Sequence, residues 1–353
     1  MKNYLENSIK EYINRREFIK LGSTSLLLSF LGCGGGGGDD GVPHSQVPGT
    51  TTPPGPQPQT DIHDYSGIIT DYEGNPLSVN ISLTQIDGFG NPTGVVFSDF
   101  SDQNGNYFMD DVVNGDYKFD LNVPSNYFGF GKKLKIISSQ GNINDNIILI
   151  RKEPLDVNNV YRDSNNNPSI LEMIRDISGN KLTDNVQRVR RFNGKVKIYL
   201  DKNNAPNGYL NSIDDALRQI EAQSGLSLFE EVNIERDSNI NLVYDTSLGS
   251  KGLTQLLNSS SVNGVSIPQK VRIKIKDDLS QNVARVVTSR EVGYALFGVE
   301  RYSKDRNHVM FRDPNYSNTG DPLGGTFFNS DEGKALKIYS KLPIGLSLKD
   351  YVD

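Results

Sequence analysis

The sequence predicts a multidomain protein, an all-β sandwich followed by an α+β domain, both carried behind an amino-terminal leader and tether. Three observations lead there. Residues 62–150 alternate apolar and polar positions in short runs broken by turn residues, the pattern of antiparallel strands with one buried face. Residues 188–353 interleave strand and helix periodicities instead. The first 60 residues are charged, then apolar, then rich in Gly, Pro and Thr, a composition that builds no core.

The 353 residues, 35% hydrophobic and 23% charged, suffice for two modest domains plus tails. The formal charge is −6, and removal of residues 1–32 takes it to about −8, which argues against nucleic acid as a partner. No run of apolar residues beyond the start is long enough to span a bilayer as a helix.

The leader comes first. NRREFIK at 14–20 places twin arginines before a hydrophobic pair and a lysine, and the apolar run from Leu21 to Gly32 is short. It resembles a twin-arginine export signal. The run ends at SFLGC, where Gly32 precedes Cys33, the only cysteine in the chain, and this resembles a bacterial lipoprotein processing site. A lone cysteine excludes an intramolecular disulfide and is otherwise a small buried hydrophobe; five glycines after it favour lipidation of Cys33 instead. The resemblance implies an exported, lipid-anchored protein, and Gly34 after the cysteine is similar to the outer-membrane sorting pattern. Residues 33–60 then read as the lipidated cysteine and a flexible Gly/Pro/Thr-rich tether.

The sandwich occupies 61–150. Strands are predicted at 66–70, 78–85, 95–98, 105–110, 115–123, 132–138 and 146–150. Asp71, Gly74, Pro76 and Leu77 form a DxxGxPL turn, and Gly105–Tyr107 and Gly115–Tyr117 supply GNY and GDY strand openings. These pieces are similar to carboxypeptidase regulatory-like, transthyretin-type domains, a resemblance that implies a non-catalytic spacer or adhesion module. Asp102, Asn104 and Asn106 suggest a calcium loop, but no later bidentate Glu completes the ligand set, and an Asn/Gly hairpin turn is the competing reading. A bridging segment, 151–187, holds the Asn-rich break at 164–169 and a short helix predicted over 170–176.

The second domain, 188–353, opens with a strand at 196–200. A helix capped by Asn211 or Ser212 and ending at Gly225 follows, then strands at 231–236, 240–244 and 271–277. A helix started by Ser280 or Asn282 carries Arg290 to Tyr294, and a last helix covers 330–341.

Residues 290–311, REVGYALFGVERYSKDRNHVMF, carry the functional signal. Glu291, Gly293, Ala295 and Leu296, and further on Ser303, Asp305, Val309, Met310 and Phe311, resemble the HExxHxxGxxH helix and methionine turn of matrixin-type metzincin zinc peptidases. The three histidine positions hold Arg290, Tyr294 and Glu300 instead, and the family glycine is displaced to Gly298. The resemblance places Glu291 at the general base and Met310 under the site. Histidines four apart can close on one tetrahedral zinc because they share a helix face; Arg290 has no lone pair to offer. At about 4 Å from a dication and an effective dielectric near 20, its charge would oppose binding by about 8 kcal/mol. Tyr294 ligates only as a phenolate, and Glu300 is a single oxygen ligand. A base also needs a polarised water, and without the metal none is expected, so Glu291 reads rather as a helix glutamate paired with a neighbouring cation.

Three readings stay open. One is a pseudopeptidase at the cell envelope, with no cofactor, whose metal-free cleft binds a peptide or protein and whose Arg290 pairs with Glu291 or Glu300. Another is an active zinc metallopeptidase with atypical ligands. The last is a structural envelope lipoprotein.

Overall fold

In the computed structural model, the described residues are 62–136, 141–156, 161–178, 188–262, 265–298 and 328–352. Cys33, Glu300, Ser303, Asp305, His308, Val309, Met310 and Phe311 lie outside them.

The amino-terminal part is a two-sheet sandwich. In one sheet β1 (Ile62–Asp71) pairs antiparallel with β4 (Asn106–Val113) and, on its other edge, parallel with β7 (Ile143–Asn144) and β8 (Ile147–Leu149). The other sheet runs β14-β6-β5-β2-β3, built from β2 (Asn80–Ile86), β3 (Pro92–Phe100), β5 (Gly115–Asn122), β6 (Gly129–Ile136) and β14 (Tyr351–Val352). Alternation explains the elements: Tyr117, Phe119 and Leu121 of β5 are buried while Asp116, Lys118 and Asn122 face out. Every strand expected from the alternation is present with shifted ends. The final one keeps Ile147–Leu149 as β8; an unexpected short strand, β7, precedes it, and between them the Asp145 N–H donates to Ser66 O and Asn146 Oδ1 accepts the Ile68 N–H of β1.

Five-residue turns punctuate this part and the bridge. At Asp71, Asp87, Asp102 and Asp163 the carboxylate accepts the backbone N–H groups two and four residues on, and the Asn four residues on donates its amide back. The aspartate thereby supplies the acceptor that closes the turn. The last of these turns precedes α1 (Ile170–Ser178), which starts where the sequence places it.

The second part is a five-stranded sheet ordered β10-β9-β11-β13-β12. β9 (Val196–Leu200), β10 (Phe229–Glu231), β11 (Ile240–Tyr244) and β13 (Val265–Ile275) run parallel, and β12 (Gly252–Val262) is the antiparallel edge. α2 (Tyr209–Ser224) packs on both α3 (Gln281–Leu296) and α4 (Ser330–Lys341), and α3 lies against β12 and β13. Expectation and structure differ at several points. α2 starts after Gly208 in left-handed conformation (φ 78°), not at Asn211 or Ser212, and Gly225 closes it as expected. The strand expected at 231–236 is shorter and earlier, because Glu235–Asp237 turns into one 3-10 turn. β12 was not anticipated at all. Asn329 caps α4 in a capping box with Glu332.

The two parts share one continuous hydrophobic core. β14 carries the carboxyl-terminal residues into the sandwich, where the Tyr351 ring meets Phe130 edge-on at 5.2 Å and its hydroxyl donates to Ile148 O. Arg175 of α1 holds this return by donating to Leu348 O and Tyr351 O (2.6 Å). Lys334 of α4 pairs with Asp156 at 2.9 Å, and Lys337 of α4 with Glu73 of the first turn. Among the described residues no helix is long and apolar enough to cross a membrane.

Candidate functional site

The helix that carries Arg290, Glu291 and Tyr294 is α3, and it is buried on every face from Val286 to Leu296. A helix enclosed this way is normally apolar all round. α3 instead contains Thr288, Ser289, Arg290 and Glu291 within its buried stretch, so its interior polar groups need partners.

Arg290 and Glu291 supply them to each other. Arg290 Nη2 and Nε lie 3.1 and 3.2 Å from Glu291 Oε1, with the two side chains only 7% and 5% exposed. The other carboxylate oxygen, Oε2, accepts the Thr254 hydroxyl of β12 at 2.6 Å, and the same hydroxyl lies 3.2 Å from Glu291 O. Both oxygens of Glu291 are therefore engaged. The close approach of β12 to the helix depends on Gly252, where an added Cβ would stand 2.5 Å from Val287 Cγ1 and 2.9 Å from Glu291 Cγ.

Tyr294 lies one turn further along, also buried. The structure thus brings together Arg290, Glu291 and Tyr294 of the residues singled out in the sequence, while Glu300 and Met310 lie outside the described residues. Thr254 and Gly252 are the site residues that sequence reasoning missed. Their signal was slight, since they sit in an edge strand of mixed polarity far from α3 in the chain.

The residues at these positions do not fit a zinc ion. A guanidinium offers no lone pair, and a glutamate whose two oxygens bond Arg290 and Thr254 is committed elsewhere. Among the described residues no group of three His, Cys, Asp and Glu side chains comes together. Asp102, Asn104 and Asn106 form a hairpin turn: Asp102 Oδ1 accepts the Asn104 and Asn106 N–H groups, both at 2.8 Å, so its carboxylate faces the backbone.

No family model matches the chain, and no curated protein matches it significantly. Solved structures match only in part. The major pilin SpaD of Corynebacterium diphtheriae aligns with 26% of this chain and 30% of its own, at 13% identity and TM-score 0.23. A streptococcal ancillary pilin aligns with 31% of this chain and 38% of its own, at 17% identity and TM-score 0.22. The 3-chlorocatechol 1,2-dioxygenase of Rhodococcus opacus 1CP aligns with 26% of this chain and 61% of its own, at 13% identity and TM-score 0.21. The chain spans less than two thirds of the length of each. The class defined by the fold is a strand-rich, mixed one in which a β-sandwich is joined to a mixed sheet covered by helices.

Proposed function

We propose that this chain is an exported, lipid-anchored pseudopeptidase of the cell envelope, a metzincin-like protein that has exchanged its metal for an internal ion pair. The observation that carries the reading is the Arg290–Glu291–Thr254 cluster. A cation stands at a ligand position, and the carboxylate at the general-base position is neutralised by it and tied to the edge strand. A carboxylate whose two oxygens already bond Arg290 and Thr254 is poorly placed to take a proton from a water. The order strand, helix, strands, helix, helix supports the same reading, because it follows the resemblance beyond the motif itself.

In this reading the guanidinium does the electrostatic work of the lost dication, balancing Glu291 inside a buried helix. Its ligand is a peptide or protein segment laid along β12, which ends its sheet and exposes Leu256 and Leu257. Cys33 carries the lipid that anchors the protein, with the tether holding the body away from the membrane.

Elemental analysis of the purified full-length chain, run beside a peptide-library digest, tests this. The expected result is no stoichiometric transition metal and no cleavage sensitive to Glu291→Gln. One tightly held ion per chain, with hydrolysis abolished by Glu291→Gln, overturns it and favours a working metallopeptidase. Capture of envelope peptides that is lost in Leu257→Asp supports the binding role; capture of none, with the fold intact, leaves the structural-lipoprotein reading in its place. For the anchor, labelled palmitate should enter the wild type and not Cys33→Ala.

A further inference from the structure

Lys132 occupies a position where alternation calls for an apolar side chain. On β6, Phe130, Lys132, Leu134 and Ile136 point into the sandwich while Lys133 and Lys135 face solvent. Lys132 stands in register opposite Phe119, which is fully buried. Its ammonium lies 5.6 Å from the Phe119 ring centre and 5.9 Å from that of Phe130. From the facing sheet, Asp145 reaches the same spot, and Lys132 Nζ contacts Asp145 Oδ2.

The aspartate is held on every side. Its N–H donates to Ser66 O at 2.8 Å, its carbonyl accepts the Tyr107 hydroxyl at 2.6 Å, and Tyr65 donates its hydroxyl to Oδ2. Gly67 makes room for it, since a Cβ there would stand 2.3 Å from Asp145 O. A second acid, Asp350, lies near enough to feel both partners. Burial holds its carboxyl above the ordinary range, against the lowering influence of Lys132.

A lysine and an aspartate from opposite sheets, held in contact among aromatic rings, have the geometry for amide formation. We propose that Lys132 and Asp145 condense into an intramolecular isopeptide bond that cross-links the two sheets of the sandwich. The step balances within the pair. A proton passes from Lys132 Nζ to the Asp145 carboxylate within their contact, giving a neutral amine and a neutral acid. The nitrogen lone pair attacks Cγ, the C–O bond breaks, and one water leaves carrying a proton from the amine. No oxidant, reductant or activating co-reactant is consumed. The Tyr65 hydroxyl, which donates to Oδ2, polarises the carbonyl under attack.

Peptide mapping of the folded, full-length protein by mass spectrometry tests this without any variant. The expected product is a single branched peptide containing Lys132 and Asp145, lighter than its two components by one water, with no cleavage by trypsin after Lys132. Lys132→Arg keeps the cation but removes the nucleophile, and should abolish the branched species. Recovery of both wild-type peptides separately at their sequence masses means that the contact is an ion pair only, and the proposal fails.

Discussion

Separating the two charges buried in α3 gives a quantitative test of what the Arg290–Glu291 pair contributes. The charge centres are roughly 4 Å apart, and at an effective dielectric near 20 their attraction is about 4 kcal/mol. Side chains 7% and 5% exposed also lose hydration, at several kcal/mol per ion, so the intact pair is close to neutral in net stability. Breaking it is another matter. Glu291→Ala leaves a guanidinium in the interior without its neighbouring carboxylate and removes the carboxylate acceptor of the Thr254 hydroxyl, leaving only Glu291 O, a loss of about 3–5 kcal/mol. Arg290→Ala strands the carboxylate at a similar cost. Once one charge is gone the other gains little by staying, so the double variant should lose less than the two singles together, with a coupling of about 1.5–3 kcal/mol. Urea unfolding followed by circular dichroism and tyrosine fluorescence suits a chain with 16 Tyr and no Trp. Single-variant losses that add to within about 0.5 kcal/mol would refute the coupling, and with it the idea that the arginine is there to balance Glu291.

The turns predict an acid limb. Asp71 is pushed up by burial, but the hydrogen bonds from Asn75 outweigh this and hold its carboxyl below the ordinary range. The Asn91 and Asn167 N–H groups lower Asp87 and Asp163, and the Asn106 amide lowers Asp102. Because the folded values are depressed, this stability is present above the unfolded value near about 4 and disappears as pH falls through the lower folded values. The thermal midpoint should therefore fall below about pH 4, with a shallower fall in Asp71→Asn; an identical acid limb in that variant contradicts the assignment. Gly252→Ala should lose about 1–3 kcal/mol in urea, since the new methyl meets Val287 and Glu291 and cannot be accommodated without moving β12. Asn329→Ala removes half of the capping box on α4 and should cost about 1 kcal/mol, read from the same curves, with Asn329→Ser restoring most of it.

Much of this architecture was legible in the chain. Alternation of the Tyr117–Phe119–Leu121 kind marks a strand with one buried face, so the sandwich strands fell close to their predicted places. β12 escaped because an edge strand with a solvated face needs no apolar period: Asn258 to Val262 are exposed, and only pairing with β13 makes them a strand. The start of α2 was misplaced for a different reason. Asn211 and Ser212 are good caps by type, but Gly208 in the left-handed region turns the chain three residues earlier. At the site, Arg290, Glu291 and Tyr294 could be read together because one helix carries them. Thr254 could not, since it reaches Glu291 only through the sheet. β14 was invisible for the same reason, being two residues whose strand character is conferred by β6.

That last pairing joins two segments made far apart in time. Phe130 is made long before Tyr351, so the outer seam beside Phe130 stays open until the chain has passed β13 and the helices that follow it. Its closure reports that everything between has been made and has folded back. A copy without β14 would display an aromatic seam that the pairing hides, a physical mark by which the two differ.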